Sequence, residues 1–312
     1  MTDATQVPCG IAIPQVFTDG ATDMGLIEAY VRRAEEMGYH SLWVQEQILG
    51  SSPSLEPINL LCYVAAMTRT IRLGTAVIIV TTRNPVILAK ELSTLDVLSD
   101  GRLIIGLALG GRPGHYSLLG APTERRVRHF VESLDVMEAL WQEPRASYDG
   151  HFWQLDGETM EPKPVQQPHP PIWFGGRNPD GLRRAVRRGQ GWMGAGSTTT
   201  EQFKEHVGVL RENLDASGRD PGSFAISKRV YIALDDDEDR AEERLRQWFG
   251  ARYGNADLAS RVSVWGSEAR CKDGLQAIVD AGAEILMLNP VFDHMEHLEA
   301  LHERIVPRLR KP

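Results

Sequence analysis

The sequence predicts an α/β protein folded as a (β/α)8 TIM barrel, with an insertion between the fourth and fifth strands. Three observations predict it. Short apolar runs alternate with longer amphipathic ones, the pattern of βαβ units and a parallel sheet. Eight such units can be counted along the chain, whereas a doubly wound sheet more often stops at roughly five to seven strands. The length of 312 residues suits an α/β barrel that fills residues 1–312 as one domain.

The elements follow in order. Residues 10–14 form the first strand, with a helix near 24–37, and 41–45 the second, with a helix near 57–68. Residues 72–79 then precede a helix at 85–98, and 103–108 precede one at 124–141. Strands at 171–174, 191–193, 225–234 and 284–289 complete the set, each followed by a helical stretch. Between 144 and 171 the alternation stops: SYDGHFWQLDG reads as a hairpin around Asp149-Gly150, followed by prolines at 162, 164, 168 and 170. This is an insertion and not a domain boundary. The run Asp235-Asp236-Asp237-Glu238-Asp239 lies between a strand and a helix, where acidic groups favour the helix start; a metal site is the lesser reading.

Composition narrows the function classes. Hydrophobic residues at 42 % and charged residues at 24 % are ordinary for a globular enzyme. A net charge of −8 argues against nucleic acid, which demands a basic face, and favours a small-molecule substrate. Cys9, Cys62 and Cys271 have no CxxC spacing and read as reduced thiols. The start MTDATQVPCG lacks the basic and apolar regions of a signal peptide, and no run reaches the roughly 18 apolar residues of a membrane span. A cytoplasmic location is therefore expected.

In a barrel of this kind the chemistry sits at the C-terminal ends of the strands. The fourth strand ends in GLALGGRPGHYSLLG, residues 106–120. Gly106, Ala108 and Gly111 match the small positions of a dinucleotide fingerprint, but Pro113 and Gly114 follow at once and disfavour the helix that a Rossmann turn must enter. The fifth strand ends in Gly175-Gly176-Arg177-Asn178 and the sixth in Gly194-Ala195-Gly196. Small residues at three neighbouring mouths let backbone N–H groups approach an anion, with the helix beginning near Pro179 adding its positive end. The rim reads as a site for a phosphorylated cofactor; for any single turn, tight closure alone explains the glycine.

Six stretches carry a family likeness in their order and spacing: SLWVQEQ from Ser41, IRLGTAVII from Ile71, NPVILAKELSTLDVLSDGRLIIGLALGG from Asn84, YDGHFWQL from Tyr148, PPIWFGGRNPDGLRRAVRRGQGWM from Pro170 and DAGAEILMLNP from Asp280. Over nearly the whole chain the sequence resembles the bacterial luciferase-like flavin- and deazaflavin-dependent oxidoreductases. The resemblance implies FMN or coenzyme F420, its ring against the third strand at a bulge with a non-proline cis peptide, here Ala76–Val77. It also implies Leu109 and Gly110 near the ring, and Gly175, Gly176 and Asn178 near the cofactor's chain and phosphate. Family members are often homodimers.

Two departures bear on the chemistry. Deazaflavin-dependent dehydrogenases of the family carry an acid–histidine pair after the second strand and often a glutamate after the fourth; here the pair reads Glu46-Gln47 and the glutamate position reads Gly111. An amide does not titrate in the useful range, which puts the sugar-phosphate subgroup in doubt. Glu46 and His115 are the candidate catalytic acid–base groups, against a salt bridge in the barrel mouth for Glu46 and a packing role for His115. His294 and His297 lack a third metal ligand and read as structural, and no metal site is assigned. Trp43, Trp153, Trp173 and Trp192 line either a substrate pocket or the core. The helix face of Arg183, Arg184, Arg187 and Arg188 is either solvated or attractive to the anionic tail of coenzyme F420.

The leading expectation is a hydride-transferring oxidoreductase, with coenzyme F420 ahead of FMN. The alternative is a monooxygenase using reduced FMN and oxygen, which needs a pocket closed to water and has residues 144–171 as its candidate cover. A non-catalytic flavin-binding barrel is the reading from another class. No lysine stands at a strand end for Schiff-base chemistry.

Overall fold

The computed structural model describes residues 5–18, 20–50, 52–111 and 117–312. Its strands, in chain order, are β1 (Cys9–Ala12), β2 (Ser41–Val44), β3 (Arg72–Thr75), β4 (Ile78–Ile79), β5 (Leu103–Ala108), β6 (Ala146–Asp149), β7 (Gln154–Glu158), β8 (Ile172–Gly175), β9 (Gly191–Gly194), β10 (Ala225–Leu234), β11 (Val264–Gly266) and β12 (Ile285–Asn289). Parallel pairing runs β10-β12-β1-β2-β3-β5-β8-β9, and β9 returns to β10 to close an eight-stranded barrel. The expected architecture is therefore present. One strand escaped the sequence: β11, three residues long, pairs parallel with the last residues of β10, Ile232 to Leu234.

The helices are α1 (Met24–Glu36), α2 (Pro57–Met67), α3 (Pro85–Leu98), α4 (Arg126–Gln142), α5 (Pro179–Arg188), α6 (Thr200–Ala216), α7 (Glu238–Tyr253), α8 (Leu258–Val262), α9 (Glu268–Asp280) and α10 (His294–Ala300). Their starts are written in the sequence. Proline stands first in α2, α3 and α5, where its missing N–H would be unpaired in any case. The residue before each accepts from the first turn: Glu56 from Asn59, Asn84 from Val86 and Ile87, and Asn178 from Asp180. Thr199 and Gln202 form a reciprocal capping box on α6. Asp237 caps α7 by accepting from Arg240 N, so the acidic run is a helix start. His297 is buried and structural: its Nε2 accepts from Leu234 N at 3.0 Å.

Residues 144–171 form the expected insertion. β6 and β7 pair antiparallel with Asp149 opposite Gln154, and the turn closes one step later than Asp149-Gly150, with Gly150 N donating to Trp153 O. The segment packs on the outside of the barrel. Tyr148 Oη donates to Asp135, Trp153 Nε1 to Ser133, and Gln166 binds Asp96, all on α3 and α4. Its role as a cover for the site is not met, because none of its residues lines the cavities at the barrel mouth.

Inside the barrel Trp43, Ile104, Trp173, Met193 and Met287 form a buried layer, with the Trp43 and Trp173 rings 5.4 Å apart. Those two tryptophans are core, and Trp192 faces outward, stacked on Phe203. Above this layer the site begins. No helix among the described residues is long and apolar enough to cross a membrane.

Candidate functional site at the barrel mouth

The expected third strand, 72–79, is broken in the structure. β3 ends at Thr75, the Ala76–Val77 peptide bond is cis, and β4 resumes pairing with β5 through Ile78–Leu107 and Ile79–Ala108. At the break the Thr75 hydroxyl replaces backbone pairing, donating to Gly106 O and accepting from Gly106 N, both at 2.9 Å. A Cβ on Gly106 would lie 1.8 Å from Thr75 O. This glycine is thus required by strand approach and not by a ligand, which completes the case against a Rossmann turn.

Three adjoining cavities open over the strand ends. A central one of about 410 Å³ is walled by Ala76, Val77, Ala108, Gly175, Gly176, Met193 and the Gly194–Ala195–Gly196 turn, with Arg229, Tyr231 and Tyr253 opposite. It shares Ala108, Gly175 and Gly176 with a groove of about 620 Å³ over the start of α5, lined also by Leu109, Gly110, Phe130, Arg177, Asn178 and Arg184. It shares Tyr253 with a side cavity of about 290 Å³ lined by Glu46, Gln47, Ile48, Leu49, Ile79, Thr82, Gly111, Leu119 and Arg252. All ten residues expected to hold a cofactor fall on the central cavity or the α5 groove. Gly176, at φ +132°, has open space where a side chain would project. Gly194 and Gly196 have a second reason to be glycine, since a Cβ there would meet Phe203 or Tyr231 within 2.8 Å.

The basic face of α5 divides. Arg188 pairs with Asp135 and Glu138 on α4, and Arg183 with Asp180 on its own helix. Arg184 alone of the four lines the groove, where Arg177 joins it.

Glu46 lies at the edge of the side cavity with its side chain 0 % exposed. Its Oε1 accepts from Arg83 Nε at 2.8 Å and Nη2 at 2.5 Å, and its Oε2 accepts from Ile79 N at 2.6 Å. Arg83 also holds Glu56 at 2.7 Å. Burial pushes the Glu46 carboxyl above its ordinary value, while Arg83 and the Ile79 amide pull against that rise. Gln47 Nε2 donates to Leu49 O at 3.2 Å. His115 lies outside the described residues; Gly111 and Leu119, which bracket it in the chain, both line the side cavity.

A charged cluster on β10 and α7 was not found from the sequence. Arg229 is partly buried; its Nη2 donates to Gln45 Oε1 at 2.9 Å, to Tyr253 Oη at 3.3 Å and to Tyr231 Oη, and the two phenol oxygens bond each other. Its Nη1 lies 3.5 Å from the carbonyl of Ala76, directly behind the bulge. Beside it, Lys228 Nζ donates to Ala195 O at 2.5 Å and Thr198 O at 3.1 Å, pinning the turn that walls the central cavity. Burial pushes the Lys228 amine down to about 7. The available signal was Lys228-Arg229 itself, two adjacent cations inside a mostly apolar strand.

Known proteins share this fold. The chain is 29 % identical over 318 residues to an F420-dependent glucose-6-phosphate dehydrogenase of Kineococcus radiotolerans, covering 92 % of this chain and 93 % of the relative. It is 31 % identical over 235 residues to the oxygenase component of a flavin-dependent trigonelline monooxygenase of Acinetobacter baylyi, covering 71 % and 64 %. The structure overlays that of an F420-dependent secondary alcohol dehydrogenase with a TM-score of 0.82 at 20 % identity, covering 96 % of this chain and 98 % of the other. The model of the luciferase-like monooxygenase family matches residues 10–303. With that match over almost its full length, the chain belongs to the luciferase-like family and is an enzyme of the oxidoreductase class.

Proposed function

We propose that the protein transfers a hydride between coenzyme F420 and a small organic substrate at the barrel mouth. The observation that carries this reading is the pair of cavities that share Ala108, Gly175 and Gly176, one lined by Ala76 and Val77 and the other by Arg177 and Arg184. The residues present fit such a group: small side chains make a flat wall for a ring, open glycine backbone leaves room for a chain, and the start of α5 with two arginines suits phosphate. The cofactor supplies or takes up the hydride. Coenzyme F420 is placed ahead of FMN because its longer anionic tail would give Arg184, as well as Arg177, a charge to hold.

The chain's own residues do the rest. Lys228 fixes the Gly194–Ala195–Gly196 wall, and Glu46 acts as a positioning residue that fixes the amide of β4 and Arg83. His115, which lies outside the described residues, remains the candidate that the sequence offers for moving a proton. An FMN-dependent monooxygenase is the second reading, favoured by the likeness to the flavin-dependent relative and by the apolar wall of Ile48, Leu49, Ile79 and Leu119. The reading includes a cytoplasmic homodimer, supported by apolar side chains that α2 and α3 leave exposed, among them Tyr63, Ile87 and Leu98.

Fluorescence titration with coenzyme F420 and FMN, oxidised and reduced, tests the proposal. Coenzyme F420 is expected to bind at about micromolar or tighter, and Arg184→Gln to weaken it by about tenfold, a loss of ~1.4 kcal/mol, with a smaller effect on FMN. Preference for reduced FMN selects the monooxygenase. Binding of neither overturns the cofactor assignment.

A further inference from the structure

Arg252 and Arg229 are two guanidinium groups placed at the mouth with no carboxylate partner among the described residues, their facing groups being the phenols of Tyr253 and Tyr231. Neither forms an ion pair among the described residues, and Arg252 Nε and Nη1 and Arg229 Nε are buried with no hydrogen-bond partner. The acid on the adjoining wall, Glu46, is already committed to Arg83 and the Ile79 amide. Removing a cation from water without pairing it is costly, and a binding site is where such a cost is recovered. Between the two arginines stands Tyr253, the residue common to the central and side cavities. Beyond Arg252 the side cavity turns apolar, with Ile48, Leu49, Ile79 and Leu119.

We propose that the substrate is a small carboxylic acid, its carboxylate held by Arg252 and Arg229 beside the Tyr253 hydroxyl and its apolar body lying in the side cavity. This rests on the reading of the central cavity as the cofactor site, which puts the anionic head next to the Ala76–Val77 wall through the contact of Arg229 with Ala76 O. The cofactor's phosphate is a second source of negative charge. Its cations would be Arg177 and Arg184, which line the α5 groove and not the central or side cavity.

The state of Tyr253 reports on the site. Burial opposes ionisation of this phenol, but Arg229, the Tyr231 hydroxyl and Arg252 outweigh it and hold the group below its ordinary value. The groups facing it are Arg229 and Tyr231 from β10, Arg252, Trp248 and Phe249 from its own helix, and Gln45 from the end of β2 by way of Arg229. A carboxylate arriving between the arginines supplies the negative charge that the phenolate otherwise supplies. It therefore raises the Tyr253 pKa, and binding takes up protons where the phenol is partly ionised.

Benzoate and benzamide, alike in shape and different in charge, test this on the full chain by calorimetry and by tyrosinate absorbance, with Tyr253→Phe as the spectral blank. Benzoate is expected to bind at least about tenfold more tightly than benzamide and to shift the Tyr253 titration upward. Arg252→Gln should abolish the preference, Arg252→Lys should restore part of it, and Arg184→Gln should leave it intact. Equal binding of the two probes overturns the proposal. So does a benzoate preference that survives Arg252→Gln, or one lost in Arg184→Gln, which would place the anion at the phosphate position. The comparison needs no cofactor, so a failure of cofactor binding and a failure of the carboxylate site are read separately.

Discussion

A carboxylate at the end of a barrel strand has two common uses, to move a proton or to hold a cation, and Glu46 has the geometry of the second. Both oxygens are engaged, one by Arg83 and one by the Ile79 amide that follows the cis bond. Replacing it by glutamine leaves Arg83 with Glu56 and Glu91, so the loss in stability should be about 1–2 kcal/mol. That is below the roughly 3–5 kcal/mol of a buried pair losing its sole partner. Glu46→Gln is expected to raise KM for the cofactor, through a displaced β4, while the pH profile of kcat keeps its shape. Steady-state kinetics across pH decide it: a missing limb in that profile with KM unchanged would make Glu46 the proton-transfer group. The same comparison applied to His115 tests the group that the sequence places between Gly111 and Leu119.

The turn from β9 into α6 is closed by Thr198, whose N–H and hydroxyl donate to Ala195 O, and is pinned from below by one amine. Lys228 donates to Ala195 O, Thr198 O and Thr198 Oγ1 from inside the barrel wall. Its pKa falls from the ordinary 10.5 to about 7 because burial disfavours the charge. Between those values the unfolded chain binds the proton and the folded chain does not, so this residue makes stability rise with pH, by at most ~1.4 kcal/mol per unit. Lys228→Met should remove that slope, and urea unfolding of both proteins between neutral and alkaline pH will measure the difference. Parallel slopes would mean that the amine stays charged in the fold. How far such features can be read beforehand depends on whether their cause is local. Helix starts at Pro57, Pro85 and Pro179 and the strand order were legible, because caps, prolines and apolar alternation act within a few residues. The glycine-rich mouths were legible as small-residue turns, but not that Gly106 answers to Thr75, or Gly196 to Tyr231, across the barrel. Arg229 and Tyr253 are 24 residues apart on a strand and the end of the following helix. Their meeting is a product of the closed fold, with no spacing rule to announce it.

Closure of the barrel also sets how the chain unfolds. β1, near the start, is bonded on one side to β12, near the end, and β9 returns to β10, so no strand of the ring is an edge that can peel away. The insertion is tied to α3 and α4 by buried Asp96 and by Trp153. We therefore propose that residues 1–312 form one cooperative domain. Scanning calorimetry should give a single transition whose calorimetric and van't Hoff enthalpies agree. Saturation with the true cofactor then stabilises the whole barrel and not one half: at a hundredfold excess over Kd the gain is about 2.7 kcal/mol. With an unfolding entropy of ~2.1 cal/mol/K per residue, that moves the midpoint by about 4 °C. Two transitions, with only one responding to cofactor, would divide the chain and overturn the single-domain assignment. A single transition displaced by coenzyme F420 and not by FMN would tie the groove over α5, the bulge at Ala76–Val77 and the remote strand pairing of β1 with β12 into one binding unit.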